Sequence, residues 1–321
     1  MLSPPEVSVV IPTYNRCELL RGAVLSVLQQ NAERSTFEIV VVDNNSSDDT
    51  KAVVESLIGS DSGNVSYVQE HQQGNAHARN TGIQHSRGSI IAFMDDDVVV
   101  GNTWIRTLKA AFDQDQDLSF VGGRILPRWS EPPPSWLTAE HWSPLALIDY
   151  GPEQLTIEGQ TPPGLLTANI ALRRKVFQEV GTFSPALQRV KNGIGSMEDH
   201  EFLLRVCRSG KKGKYLPDLI ATALVEPERL TKHYHRRWHT GHGRFYAIMR
   251  DPEWERSQFR FVSVPGHLYR QTALEAFNWF KDSLLGRTDK AFVRERQLRF
   301  FGGFFLQRQR DLLTTRRRRS V

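Results

Sequence analysis

Residues 88–97 read GSIIAFMDDD: an apolar run leads straight into three consecutive aspartates, Asp95, Asp96 and Asp97, and Val98-Val99-Val100 follows at once. Three carboxylates crowded at one strand tip repel one another, and burying them is costly unless something cationic neutralises them. The usual neutraliser is a hard divalent cation, and Mg²⁺ in particular binds through a carboxylate or two plus substrate phosphates. The triplet therefore points to an enzyme acting on a phosphorylated or nucleotide substrate. Taken alone, it is also compatible with a metal-dependent hydrolase or with a solvated acidic turn.

The same pattern recurs upstream. Val7–Ile11 is a short apolar run closed by Pro12, and 18–30 then shows helical spacing. Phe37–Val42 is a second continuous apolar run. It ends in Asp43-Asn44-Asn45-Ser46-Ser47-Asp48, where Ser47 or Asp48 caps a helix through Val53, Val54 and Leu57. A strand at 65–68 and a helix at 74–85 lead to the fourth strand at 89–94. Strands without polar alternation, separated by helices, predict an α/β fold with a mostly parallel sheet and helices on both faces. Ligands of such sheets bind beyond the carboxyl ends of the strands, and both acidic clusters lie there.

Downstream, a helix near 103–112 and a strand near 118–126 precede 127–163, a Pro- and Trp-rich stretch whose length points to a functional loop. Its Trp129, Trp136 and Trp142 either stack on a ligand or staple the loop to the body. Regular structure returns at 165–172 and 173–180. Glu198–Cys207 is an amphipathic helix, Lys214–Leu216 a short strand, and from about 229 the chain reads as helical pieces with basic faces.

A chain of 321 residues can hold one large α/β domain, or a domain with an appendage. Its two cysteines, Cys17 and Cys207, lack metal-ligand spacing, which argues against a disulfide framework and for a reducing compartment. No secretory signal is expected from the first residues, and no window has the length of a membrane-spanning helix. The net charge of +5 conceals an asymmetry. Residues 229–321 hold 21 of the 41 Lys and Arg but 8 of the 36 Asp and Glu, a net of +13 against −8 for 1–228. A basic tail suits an anionic membrane surface or another polyanion, and equally a set of solvated helical faces. No motif for nucleic-acid binding accompanies it.

Six segments carry the chemistry: VSVVIPTYNR (7–16), EIVVVDNNSSDDT (38–50), GNAHARNTGI (74–83), GSIIAFMDDD (88–97), TANIALRRKVFQEVGTF (167–183) and GSMEDHEFLLRVCRSG (195–210). The turn at 12–15 sets hydroxyl and amide groups beside a helix N-terminus, where phosphates are readily met. Asp43 at a strand tip is a ready acceptor, or a turn residue. Glu198-Asp199 opens a helix, where the macrodipole favours carboxylates; capping alone would account for them.

In this order the segments resemble glycosyltransferase family 2 over roughly 7–218, with its nucleotide-sugar-binding, Rossmann-like GT-A fold. The resemblance implies a catalytic domain over 1–228, with a donor half at 1–126 and an acceptor half at 127–228, followed by a basic helical extension over 229–321. It implies that Pro12, Thr13, Tyr14, Asp43 and Arg79 meet the donor nucleotide, with Asp43 on the base edge and Arg79 near the nucleobase. Asp95 would contact the ribose, and Asp97 with Asp95 would bind Mn²⁺ or Mg²⁺; Asp96 would do either or face solvent. Asp199 would be the general base, assisted by Glu198, with Asn169 under the acceptor. His233, His235, Arg236, Arg237 and Trp238 would complete diphosphate or acceptor binding, or simply form a basic helix face.

The wording of 232–239 departs from the Q-x-x-R-W of processive polysaccharide synthases, so a non-processive enzyme is expected. The implied function is inverting transfer of a sugar from a UDP- or GDP-sugar to a saccharide or lipid-linked acceptor. The setting would be cell-surface polysaccharide or glycan synthesis, in the cytoplasm or on the inner face of a membrane. The alternatives are a sugar-nucleotide nucleotidyltransferase, disfavoured because no Gly-rich basic loop follows the first strand, and a non-catalytic nucleotide-sugar or polyanion-binding protein.

Overall fold

A computed structural model describes residues 4–60, 64–189 and 193–319, apart from the side chains of 59, 60 and 315–319. The chain divides into two compact units: one of 4–130, 145–189 and 198–225, the other of 131–144, 193–197 and 226–319.

The first unit runs β1 (Val7–Thr13), α1 (Cys17–Leu28), β2 (Phe37–Asp43), α2 (Thr50–Ser60), β3 (Val65–Gln69), α3 (Asn75–His85), β4 (Ile90–Phe93), β5 (Val98–Val100), α4 (Trp104–Gln114) and β6 (Phe120–Trp129). It continues with β7 (Leu155–Ile157), β8 (Ile170–Arg173), α5 (Arg174–Val180), α6 (Glu198–Arg208) and β9 (Gly213–Val225). Among the described residues, nine strands form one sheet in the order β3-β2-β1-β4-β8-β6-β9-β5, with β7 also paired to β9. Strands β3, β2, β1 and β4 are parallel, and every residue of β1, β2 and β4 is buried, as uninterrupted apolar strands require.

The first four strands and their helices stand where the sequence puts them; the sheet beyond β4 does not follow from pattern alone. Strand β8 runs antiparallel to both β4 and β6, while β6 and β9 are parallel, so this half is mixed. Strand β1 continues through Pro12 to Thr13; this forfeits no ladder bond on the β4 side, because β4 ends at Phe93 opposite Val10. Val98–Val100 is a strand of its own, an antiparallel edge on β9. Strand β9 has 13 residues where only three look like strand, because Pro217 and Asp218 break the apolar pattern. A bulge absorbs them, with the register on β6 shifting between Gly123 and Arg124. Gly123 is required there: a Cβ would collide with the Leu219 carbonyl.

The second unit holds α7 (Lys232–Met249), a hairpin of β10 (Arg260–Phe261) and β11 (Val264–Pro265), α8 (Gly266–Leu284) and α9 (Thr288–Arg319). Helices α7 and α9 meet backbone to backbone at Gly243 and Gly303, where any Cβ would strike the carbonyls of Phe300 and Thr240. Phe300, Phe301 and Phe304 then pack with Ala247, Val264 and Leu268 as a small core. Residues 131–144 cluster with this unit, not with the acceptor half in which the sequence reading places them. Aromatic packing is the reason: the Trp136 ring lies 5.0 Å from His235 and 5.1 Å from Phe292, and His141 stacks on Phe292 at 5.8 Å. Trp136 thus fastens 131–144 to rings of the second unit, and not to the body as the stapling alternative has it.

Candidate active site

The loops leaving β1, β2 and β4 are stitched together by short polar side chains. Asn15, left-handed at φ 51°, accepts from the Ser47 amide at 2.7 Å while its own amide donates to Ser46 Oγ at 2.9 Å. Asn tolerates that conformation better than other non-glycine residues. Asp48 caps two helix starts, accepting from the Cys17 amide at 3.0 Å and the Thr50 amide at 3.1 Å.

Asp43 sits buried beneath this junction, accepting from the Ser46 amide at 2.8 Å and the Tyr67 hydroxyl at 2.7 Å. Burial and the bond to Asp43 hold the Tyr67 hydroxyl well above its usual pKa. The Asp43 carboxylate is thus fixed and partly engaged by the chain itself. Pro12 is buried within β1, Thr13 turns its hydroxyl to Asp96, and Tyr14 is exposed at the rim.

The cations that the aspartate triplet needs are arginines of the chain. Arg16 Nη1 donates to Asp97 Oδ2 at 2.8 Å and reaches Asp96 Oδ1 at 3.5 Å. Asp96 is buried, accepts from Thr13 Oγ1 at 2.8 Å, and is pushed up to about 7 by burial and by Asp97. It is the inward member of the triplet and faces no solvent. Asp95 is partly exposed and accepts from Arg79 Nη2 at 3.1 Å.

Arg79 is the centre of the site. Helix α3 carries it, and it is only 3% exposed. Its Nη1 donates to Glu198 Oε1 and to Asp199 Oδ1, each at 3.0 Å, so one guanidinium holds the triplet and the first turn of α6 together. Burial would lower its pKa, but Asp199, Asp95 and Glu198 outweigh that and keep it charged. The resemblance places Arg79 near a nucleobase; the structure commits its terminal nitrogens to three carboxylates. Asp199 is oriented further by Thr167, whose hydroxyl donates to Oδ2 at 2.7 Å and whose amide does so at 3.2 Å. Glu198 is buried with Oε2 lacking a partner, and burial together with Asp199 pushes its carboxyl up to about 7.

Other expected positions do something else. Asn169 is buried and spent on internal bonds: it accepts from Trp104 Nε1 at 2.8 Å and donates to the Arg124 and Leu219 carbonyls at 2.8 Å. It ties β6 to β9 and has no exposed group for an acceptor. His235, fully buried among aromatic rings, is pushed down to about 4 by burial, which leaves it a neutral core ring rather than a diphosphate ligand. Arg236 forms a two-pronged pair with Glu295 at 2.7 and 2.9 Å, and Trp238 stacks on His242 at 4.2 Å. His233 and Arg237 are exposed on α7. Arg16 and Thr167 are the members that sequence reasoning missed. Both lie inside quoted segments, but only the adjacency of β1 to β4, and of 167 to α6, reveals their partners.

As for a metal, no three His, Cys, Asp or Glu side chains converge into a self-contained cage among the described residues. Asp95 and Asp97 bring hard oxygen donors to the outer side of the triplet, which suits a cation that takes its remaining ligands from phosphate. The residues fit Mn²⁺ or Mg²⁺ held jointly with a substrate.

Two stability measurements test this arrangement. Arg79→Met strands three carboxylates without their cation and should cost about 3–5 kcal/mol in urea unfolding; a loss near zero would show that the guanidinium holds nothing together. Glu198 titrates near 7 when folded and at its ordinary 4.5 when unfolded. Between these values the folded state binds the extra proton, so stability falls as pH rises through the window. Glu198→Gln removes that contribution, and its stability relative to the parent should rise from pH 4.5 to 7; a pH-independent difference would overturn the assignment.

Comparison with known proteins agrees with the fold. The family model described as glycosyl transferase family 2 matches residues 8–181. The chain is 41% identical over 95 residues (29% of this chain, 30% of the relative) to the GalNAc(5)-diNAcBac-PP-undecaprenol beta-1,3-glucosyltransferase of Campylobacter jejuni. It is 29% identical over 198 residues, 61% of each chain, to the glucosyl-dolichyl phosphate glucuronosyltransferase of Haloferax volcanii. The matched stretches thus span less than two thirds of either relative. A mannosyltransferase of Pyrobaculum calidifontis, solved with GDP-Man and Mn²⁺, superposes with a TM-score of 0.61 at 18% identity, covering 96% of this chain and 87% of its own. With the family model covering more than half of its length, and with the GT-A sheet and loop order described above, this chain belongs to glycosyl transferase family 2.

Proposed function

We propose that this protein is a non-processive, inverting glycosyltransferase that moves a sugar from a UDP- or GDP-sugar to a saccharide or lipid-linked acceptor. One observation carries the reading: a single buried guanidinium, Arg79, joins Asp95 of the triplet to Glu198 and Asp199. Groups suited to a nucleotide diphosphate and a pair suited to taking a proton are thereby held one side chain apart. Relatives named for undecaprenyl-diphosphate and dolichyl-phosphate substrates support a lipid-linked acceptor.

In the reaction the acceptor oxygen attacks the anomeric carbon as the bond to the diphosphate oxygen breaks on the opposite side. Asp199 takes the acceptor proton, its carboxylate aimed by Arg79 and by Thr167. Glu198, buried and pushed up to about 7, assists by bracing Arg79 beside Asp199. Thr13, Tyr14 and Asp43 meet the nucleoside. Asp97 with Asp95 would hold a divalent cation, which supplies charge stabilisation for the departing diphosphate. Arg16, beside Asp97, adds positive charge at the same edge.

Asp199→Asn keeps the shape of the side chain, so donor binding should persist while transfer falls by about 10²–10⁴-fold, the usual worth of a positioned base. An unchanged rate at saturating acceptor would reduce Asp199 to a helix cap. Asp97→Ala should weaken nucleoside-diphosphate binding in Mn²⁺, measured calorimetrically, while binding of the bare nucleoside survives. Equal binding by variant and parent, with and without chelator, would remove the metal from the reading.

A further inference from the structure

Helix α8 leaves an apolar face uncovered. Leu274, Phe277, Phe280 and Leu284 are each between 57% and 72% exposed, an unusual density of large apolar side chains for a surface. They recur at intervals of three or four residues, so they form one stripe along the helix. The basic residues Arg270 and Lys281, both exposed, fall on the same stripe by the same spacing. The two acids of the helix do not. Glu275 is turned to α9, where both of its oxygens accept from Arg294 at 3.1 Å, and the carboxylate of buried Asp282 lies 3.7 Å from the Arg287 guanidinium. The buried Leu268 lies with them on the opposite face. A second apolar feature adjoins the start of the helix: Phe259 and Phe261 of the hairpin are exposed around Arg260, and the Phe261 ring meets Tyr269 of α8 at 5.9 Å.

We propose that this stripe is the surface by which the protein lies on an anionic lipid bilayer. An apolar row flanked by Arg and Lys, with the acids removed to the packed side, fits the boundary between acyl chains and anionic headgroups. A second copy of the chain fits it poorly, because pairing two such faces would set the same basic residues against each other. No helix among the described residues is long and apolar enough to cross a membrane, so attachment through this unit is peripheral. The proposal deepens the lipid-linked-acceptor reading and rests on it for its purpose only. Binding is measured with no donor or acceptor present, so failure of one reading is distinguishable from failure of the other.

The test is sedimentation of the full chain with vesicles of phosphatidylglycerol and phosphatidylcholine, or of phosphatidylcholine alone, at low and high salt. The parent should bind the anionic vesicles and lose most of that binding at high salt. Leu274→Ser/Phe277→Ser/Phe280→Ser changes only exposed side chains, so thermal unfolding should be unaltered, while partition onto anionic vesicles falls by more than about tenfold. Arg270→Gln/Lys281→Gln should lower the affinity and flatten its salt dependence. Parent-like binding by the serine variant, or no binding of the parent to either vesicle, would overturn the proposal. Dimerisation of the parent that the serine variant abolishes, without vesicle binding, would assign the stripe to a second copy instead.

Discussion

A buried guanidinium is tolerable only if carboxylates surround it, and carboxylates brought that close are tolerable only around a cation. Arg79 and its three partners satisfy each other in this way, and the site is built on that reciprocity. The partners come from chain segments as much as 120 positions away from Arg79, so they exist as a set only in the folded state. Helix α3 presents the arginine, the end of β4 presents Asp95, and the first turn of α6 presents Glu198 and Asp199. Moving any of the three elements breaks hydrogen bonds in a region with little water to replace them. The geometry of the candidate site and its local stability are therefore the same set of contacts. Arg16 repeats the arrangement on a smaller scale with Asp96 and Asp97, at the more exposed edge where a substrate would exchange charge with it.

The second unit puts similar residues to a different use. His141, His235 and Arg296 are buried there, and burial holds the two imidazoles down to about 4, neutral over the physiological range. A run such as KHYHRRWH looks like a cationic ligand surface when written as a line. Wound into α7, its members separate by direction: His235 enters an aromatic core, Arg236 pairs with Glu295, and His233 and Arg237 face outward. The glycines of α7 and α9 let the two backbones touch, which turns those directions into a fixed packing.

Legibility followed how local the cause was. The strands β1, β2 and β4 and the helices between them were readable because burial on both faces demands unbroken apolar runs. The triplet was readable because three adjacent aspartates at a strand tip have no local reason to exist. Strand β9 was not, because its bulge is set by Gly123 on a neighbouring strand. Nor was the true task of Asn169: a conspicuous amide beside the site looks like a ligand until its partners on Arg124 and Leu219 are seen.

The sequence by itself determined that the first four strands make a parallel sheet with acid-bearing tips, that the chain belongs to an identifiable family, and that its last third is strongly basic and helical. The strands and the basic helices depend on unbroken apolar runs, on a spacing near 3.6 and on composition, which act between near neighbours; the family rests on the six ordered segments. Tertiary structure alone decided which cation meets which carboxylate, that Asp96 turns inward while Asp95 stays partly exposed, and that 131–144 packs with the second unit. It also decided that the apolar residues of α8 stay uncovered. Those outcomes depend on which strands and helices become neighbours. Pairing energies between distant residues are realised only once the sheet order has brought them within hydrogen-bond reach.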